Sequence, residues 1–456
     1  MTFASPAMRV RRARLTRTFV CVLLGLVTVT AQAQNRIDTV RADAPALAAY
    51  GPHAIGVRTL RLVNPAQLDL LQIDPRAPLP APLPRSDRAL TVEVWYPAQA
   101  GAVGDTNLRA LVRDGKTEVA LRGRAVRDAA PAAGAPSPLV IVSHGFPGNR
   151  FLLSPLAENL ASKGYVVAAI DHTDSTYDAL GPRSFASTLV NRPLDQMFVL
   201  NAMARLSRDA GSFLQGRVDA DRAAIVGYSM GGYGALISAG SGVSRKAVEA
   251  NEPPFAVPHG LLGIHLAGST THQQLPDPRV KTIIAFAPWG TVRGVFDAQT
   301  LQGMRTPTLF IAGSVDDVSD YEKGVRATWQ LATRADRGLL TFEHANHNAG
   351  APMPPPLEAQ TVDPKTGATM ANHYIDAVWD NVRMNNVSQH FMTAWLGKYL
   401  RADATMDAYL DLVPVSEQGV WSMDAQGQPK PDHTVWKGFP NRTAKGLRFE
   451  RLPAGR

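Results

Sequence analysis

The sequence predicts an α/β fold, with a mostly parallel, doubly wound sheet and helices on both of its faces. Apolar runs of four or five residues recur along the chain, they show no polar alternation, and helical stretches separate them. Continuous apolar strands are typical of a parallel sheet that is covered on both faces. The alternation of strands with helices indicates right-handed βαβ units.

The predicted elements follow one another through most of the chain. Strands are expected over residues 90–96, 139–142, 166–170, 223–226, 283–287, 308–312 and 339–342. Helices are expected over residues 154–163, 194–209, 230–240 and 320–334, and a longer one over 373–400 closes the core. A last strand is expected over 446–450.

The charge distribution argues against a nucleic-acid partner. The 456 residues carry a formal net charge of +8, which alone would suit an anionic partner. Five arginines, however, lie within the first 17 residues, ahead of an apolar run over 19–29 and the cleavage pattern Ala31-Gln32-Ala33. A run of that length is too short to span a bilayer, so residues 1–33 are predicted to be a cleavable signal peptide. Its removal would lower the net charge to +3 and leave a periplasmic or secreted protein without stable membrane insertion. An uncleaved anchor is the alternative.

The remaining chain is expected to have three parts. Residues 34–90 are rich in Pro and Ala and are predicted to wrap the surface as an extended segment. Residues 91–400 form the α/β domain, and residues 401–456 an extension packed on its core. Within the domain, 241–279 and 349–371 lack periodicity, and such long loops suggest lids over a site.

Cysteine chemistry is excluded from the predicted mature protein. The only cysteine, Cys21, lies within the predicted signal peptide. The mature chain would therefore have no disulfide, no Cys-ligated metal and no cysteine nucleophile.

The motif Gly-x-Ser-x-Gly over 227–231 predicts a nucleophile at Ser229. It lies between a predicted strand and a predicted helix, where a tight turn lifts the serine hydroxyl clear of the sheet. The backbone N–H of Met230, at the helix start, is one predicted oxyanion donor. The other is the N–H of Phe146, in the His-Gly turn after the strand over 139–142. We expect the imidazole of His144 to support this turn.

The acid and the base of such a site should follow later strands, in the order Ser, Asp, His. Asp316 is favoured as the acid over Asp317 because of its distance from the preceding strand end. His347 is favoured as the base over His344, because it lies further along a loop that must reach back to Ser229. A metal site at these histidines is disfavoured, since no further ligands occur at suitable spacing.

Two aromatic residues are candidate substrate contacts. Trp289 follows the strand over 283–287 and could form a wall for the acyl or aromatic part of a substrate, although a core position suits a tryptophan equally well. Tyr228 directly precedes the predicted nucleophile.

With these motifs, the chain resembles the α/β-hydrolase superfamily over about residues 90–400. The segments Ser143-His144-Gly145-Phe146, 160–172 and Gly227-Tyr228-Ser229-Met230-Gly231-Gly232 are similar to those of bacterial proteins related to platelet-activating-factor acetylhydrolase and dienelactone hydrolase. The resemblance implies an α/β-hydrolase fold with lid-like insertions, and ester hydrolysis without a cofactor. Dienelactone hydrolases use a cysteine nucleophile, where this chain has Ser229.

Bacterial cutinases and polyester hydrolases resemble this chain in three features. These are the Gly-x-Ser-Met-Gly-Gly pattern, Ala287-Pro288-Trp289 and an acid at the position of Asp316. The insertions point instead to a covered pocket and a smaller substrate. The sequence therefore predicts an exported serine esterase acting on small or medium esters. A polyester or cutin hydrolase is the alternative of the same class, and a binding protein with a decayed site is the alternative of another class. The oligomeric state stays open.

Overall fold

The computed structural model describes residues 1–2, 35–250, 256–362 and 367–456. The predicted signal peptide over 1–33, with its arginines and Cys21, lies outside the described residues except for Met1 and Thr2. Among the described residues, no helix is long and apolar enough to cross a membrane.

Thirteen strands occur in the described ranges, and ten of them form one sheet. They are β1 Asn35–Arg36, β2 Ala54–Leu68, β3 Arg85–Ala98, β4 Leu108–Leu111, β5 Glu118–Arg122, β6 Val126–Arg127, β7 Ser137–Ser143, β8 Val166–Asp171, β9 Val218–Tyr228, β10 Val280–Phe286, β11 Thr308–Gly313, β12 Arg337–Phe342 and β13 Leu447–Leu452. The main sheet has the order β13-β12-β11-β10-β9-β7-β8-β3-β2-β6, and β1, β5 and β4 form a small second sheet.

The centre of the main sheet is parallel. The six strands from β12 to β8 in that order all run in one direction. β3 and β13 pair antiparallel with the two outer members of this block. The prediction of a mostly parallel, doubly wound sheet is confirmed.

Eight α-helices occur in the described ranges, and they cover both faces of the sheet. They are α1 Ser154–Ser162, α2 Ser184–Arg208, α3 Met230–Ser238, α4 Arg245–Val248, α5 Thr270–Gln273, α6 Ala298–Leu301, α7 Ala327–Leu331 and α8 Asn381–Arg401. Side chains of α1 and α8 belong to one buried cluster, and those of α2, α3 and α7 to the other. Successive strand residues point to opposite faces, so Val226 and Ile311 join the first cluster while Ile225 and Phe310 join the second.

The N-terminal segment differs from the expectation of a surface wrap. Ala54–Leu68 is a 15-residue strand that pairs antiparallel with β3 in the main sheet. Within it, Leu60 and Leu62 are half-buried, and they alternate with the more exposed Thr59 and Arg61. This period of two is a strand signal that the Pro- and Ala-rich composition of the surrounding segment conceals.

Three helices begin elsewhere than expected. α7 begins at Ala327 rather than at residue 320, after a π-helical segment over Tyr321–Arg326. α2 begins at Ser184, ten residues before the expected start, and holds Pro193 in its interior. α8 begins at Asn381, where the carboxylate of Asp380 accepts a hydrogen bond from the backbone N–H of Arg383. Residues 374–380, expected as the first turns of that helix, therefore form a loop.

Candidate active site

Four of the parallel strands end at one edge of the sheet, and each leads into a loop that carries a predicted site residue. β7 leads to Phe146, β9 to Ser229, β11 to Asp316 and β12 to His347. Ligands of open α/β sheets bind outside the carboxyl ends of the strands, which is where these loops meet.

Ser229 adopts a backbone conformation that few non-glycine residues accept. Its φ is 55° and its ψ is −111°, between the end of β9 and the start of α3. Gly231 has no space for a side chain, because a Cβ there would strike the carbonyl oxygen of Ser143. A Cβ on Gly227 would strike the backbone of Gly231. The two motif glycines therefore allow the turn to pack directly on the end of β7.

Two backbone N–H groups are available beside Ser229. Met230 is the first residue of α3, and N–H groups in a helix's first turn have no intrahelical acceptor. The N–H of Phe146 likewise has no hydrogen-bond acceptor within the described part of the chain. Gly145 lies against the serine, since a Cβ built there would be 3.4 Å from Cβ of Ser229. Both predicted oxyanion donors thus border the predicted nucleophile.

Asp316 and His347 form a hydrogen-bonded pair. Nδ1 of His347 lies 3.0 Å from each carboxylate oxygen of Asp316. Oδ1 of Asp316 also accepts the backbone N–H groups of Val318 and Ser319, both at 2.9 Å. Because a carboxylate only accepts, Nδ1 of His347 carries the proton, and Nε2 is left to accept one.

The two alternative residues lie apart from this pair. The side chains of Asp317 and His344 are exposed. The backbone N–H of Asp317 donates to Oδ1 of Asn346 at 3.0 Å, and the N–H of His344 donates to Oγ of Ser314 at 2.7 Å.

Ser229 and His347 line one cavity of about 550 Å³. Its lining includes the exposed residues Asp317 and Val318, and exposed residues of the loop before α8. The remaining lining residues are Phe146, Pro147, Tyr228, Asn346, Asn348, Asn372, His373, Ile375, Asp376 and Ala377.

Of the two predicted substrate contacts, Tyr228 lines this cavity and Trp289 lies outside its lining. The ring of Tyr228 is 5.3 Å from that of His347, and its hydroxyl donates to Oδ1 of Asn348 at 2.8 Å. Burial and the nearby charge of Asp316 raise the pKa of Tyr228 above its usual range. Trp289 is only 6% exposed and packs edge-to-face against Phe185, so it occupies a core position.

Two residues that the sequence analysis did not single out support the site. Oδ1 of Asn346 accepts the N–H groups of Asp317 and His347, at 3.0 and 2.7 Å, and so ties the acid loop to the base loop. His373 lines the cavity and lies 2.9 Å from the hydroxyl of Tyr177 through Nε2. Burial, together with the charges of Arg113 and His347, lowers the pKa of His373 to about 3. The position of Asn346 next to His347 was the only available signal for either.

The segment over 241–279, expected as a lid, lies elsewhere in its described part. Its residues are absent from the lining of the cavity, and Nε2 of His265 lies 2.7 Å from the carbonyl oxygen of Val190 on α2. Residues 251–255 of this segment, and 363–366 of the segment over 349–371, lie outside the described residues. High Pro and Gly content predicts irregular structure, but not the face on which that structure packs.

The order and direction of the strands in the main sheet are those of the α/β-hydrolase fold. A solved structure of a ferulic acid esterase from Streptomyces cinnamoneus superposes with a TM-score of 0.50, at 22% identity, over 81% of this chain and 94% of that chain. This likeness concerns the fold alone. The expectation of an α/β-hydrolase fold is confirmed.

The sequence relatives are cutinases. A family model described as PET hydrolase-like matches residues 128–259. Cutinase est1 of Thermobifida alba is 39% identical over 211 residues, which cover 46% of this chain and 53% of that protein. Cutinase est2 of the same organism is 35% identical over 34% of this chain and 43% of that protein. The chain thus spans about half the length of the curated relatives it matches, and it resembles cutinase-type ester hydrolases, as its motifs suggested.

Proposed function

We propose that the protein is a carboxylic ester hydrolase that works through a serine acyl-enzyme. Ser229 attacks the ester carbonyl, His347 takes the hydroxyl proton and returns it to the leaving alcohol, and Asp316 orients the imidazole. Water then releases the acid by the reverse sequence. The N–H groups of Phe146 and Met230 stabilise the oxyanion, and each such donor is worth about 3–4 kcal/mol of barrier. No step needs a metal or a cofactor.

The observation that carries this proposal is the Asp316–His347 pair beside the strained Ser229. The buried carboxylate of Asp316 is hydrogen-bonded to the imidazole of His347, which lines the same cavity as Ser229. A site that had lost its activity would not be expected to retain this arrangement. The sequence likeness to cutinases supports the same reaction class. Export by the predicted signal peptide over 1–33 belongs to this proposal as well.

A fluorophosphonate probe tests the proposal directly. It should label the purified protein, and mass spectrometry should place the label on Ser229. Ser229→Ala should abolish both the labelling and the hydrolysis of p-nitrophenyl acetate. Ser207→Ala is a matched control, because its hydroxyl donates to the carbonyl of Val218, at the opposite end of β9 from Ser229. A folded parent protein that is neither labelled nor active would favour the binding-protein alternative.

A polyester or cutin-type hydrolase is the second candidate within the same chemistry. It is favoured by the cutinase relatives, and by the absence of described 241–279 residues from the cavity lining, which removes one reason to expect a small substrate. Release of soluble acids from an aliphatic or aromatic polyester film, compared with turnover of p-nitrophenyl esters of two to twelve carbons, separates the two. Film hydrolysis at a rate comparable with that of soluble esters would favour the polymer.

A further inference from the structure

A buried polar network lies directly beneath the loop that carries Phe146. Oγ of Ser143 is 2.8 Å from Nε2 of His172, and Nδ1 of His172 is 2.8 Å from Oδ2 of Asp195. The order Ser, His, Asp has the connectivity of a hydrolytic triad. All three side chains are fully buried, however, so no ester reaches Ser143. The network therefore supports the loop after β7 and does not contact a substrate.

The peptide between Gly145 and Phe146 is fixed from its carbonyl side. Nδ1 of His144 lies 2.7 Å from the carbonyl oxygen of Gly145, and Nε2 of His144 accepts the N–H of His172 at 3.3 Å. Burial and the nearby Arg192 lower the pKa of His144, so the ring stays neutral with its proton on Nδ1. In a trans peptide the C=O and N–H bonds point in opposite directions. Anchoring the carbonyl inward therefore turns the N–H of Phe146 away from the buried network, and Phe146 and Ser229 line the same cavity.

Arg192, on α2, is the charged group behind this peptide. Its guanidinium donates to the carbonyl oxygens of His144 and Gly145, at 3.4 Å in the latter case, and to Oγ of Ser175. Burial lowers its pKa to about 9, which still leaves it protonated at neutral pH. One turn along the same face of α2, Gln196 donates to the carbonyl of Gly231 at 3.1 Å. Arg192 and Gln196 thus bind backbone carbonyls in the loop after β7 and in the first turn of α3, the two segments that carry the predicted oxyanion donors.

We propose that Arg192 is a positioning residue for the oxyanion hole, acting through the carbonyl groups of His144 and Gly145. This inference rests on the proposed ester hydrolysis. Arg192 touches no substrate. It holds two successive carbonyls in one planar fork, a geometry that a lysine ammonium cannot reproduce.

The test compares Arg192→Lys and Arg192→Met with the parent on p-nitrophenyl acetate. Arg192→Met should lower kcat by about 100-fold or more, since misaligning one oxyanion donor removes an interaction made in the transition state. KM should change by less than about threefold. Arg192→Lys keeps the buried charge and should fold, with an intermediate kcat.

Arg337 offers a matched control. It is equally buried and also donates to backbone carbonyls, those of Trp329 and Ala335 among them, but it lies at the start of β12, away from the site. Arg337→Lys should lower the unfolding temperature without changing kcat. An Arg192→Lys protein with parental kcat, or an equal fall in kcat for Arg337→Lys, would overturn the inference.

Crystal structures of the parent and of Arg192→Lys separate this inference from the proposed function. A rotated Gly145–Phe146 peptide in the variant supports positioning by Arg192, whatever the activity of the parent. An unmoved peptide overturns it. A parent that lacks esterase activity and probe labelling overturns the proposed function alone.

Discussion

Both carboxylate oxygens of Asp316 lie 3.0 Å from Nδ1 of His347, although the two residues follow different strands of the sheet. The carboxylate is held from behind by two backbone N–H groups of its own loop. The imidazole is therefore fixed in the tautomer that leaves Nε2 available as a base.

Replacing the acid should misdirect the base. In Asp316→Asn, the amide can donate to Nδ1 and so favours the wrong imidazole tautomer, which should lower kcat by about 10⁴-fold. The variant should fold, because the asparagine oxygen can still accept the N–H groups of Val318 and Ser319. Asp317→Asn, one residue along and exposed, should keep kcat within about twofold. Steady-state kinetics on p-nitrophenyl acetate checks both, and the reverse ranking would reassign the acid.

The two histidines of the loop after β12 should differ sharply. His347→Ala removes the base and should cost at least about a thousandfold in kcat. His344→Ala removes an exposed ring that lies outside the cavity lining, so its kcat should stay close to that of the parent. Equal losses in the two variants, measured at matched folded fractions by circular dichroism, would count against His347 as the base.

Gly231→Ala should damage the site without touching a catalytic side chain. A Cβ at this position strikes the carbonyl oxygen of Ser143, so either α3 or the loop with Phe146 must move. We expect kcat to fall by about 100-fold, the scale of one lost oxyanion donor. Gly181→Ala is the control, because the nearest atom to a Cβ there is Oγ of Ser184 at 3.9 Å. Kinetics and thermal unfolding of both variants should show an effect for Gly231 alone.

Acid should destabilise the fold partly through His265. Burial lowers its pKa to about 4, against about 6.5 in an unfolded chain. Between pH 6.5 and 4 the folded state binds fewer protons, so the free energy of unfolding falls as the pH decreases through this range. His265→Gln can still donate to the carbonyl of Val190 but does not titrate. The free energy of unfolding of this variant should change less steeply with pH than that of the parent. The difference in slope should correspond to at most about one bound proton.

Urea titrations between pH 7.5 and 4.5 measure that slope. An equal slope in His265→Gln and the parent would show that His265 takes up its proton without unfolding.

The sequence was most informative where local chemistry and strand position coincide. Ser229, Asp316 and His347 each follow a continuous apolar run, so their place at one edge of the sheet could be predicted from order alone. The choice of Asp316 over Asp317 needed only the distance from the strand end. All three follow strands of the parallel block, where the predicted architecture places them.

Tertiary packing determined what sequence patterns could not predict. Because of Pro193, sequence analysis placed the start of α2 ten residues too late. It therefore missed the part of the helix from which Arg192 contacts the loop after β7. The contact of Asn346 with two loops depends on their approach in space, which no local pattern encodes. Trp289 was equally compatible with core and cavity, and packing against Phe185 places it in the core.

The antiparallel strand β13 has a practical consequence. It pairs with every residue of β12, an apolar strand buried on both faces. A shortened version of this chain that ends before Leu447 would leave unpaired the edge of β12 that faces away from β11, as an open template for strands from neighbouring molecules. Shortened versions of the protein should therefore retain Leu447–Leu452, because versions without this strand should tend to aggregate.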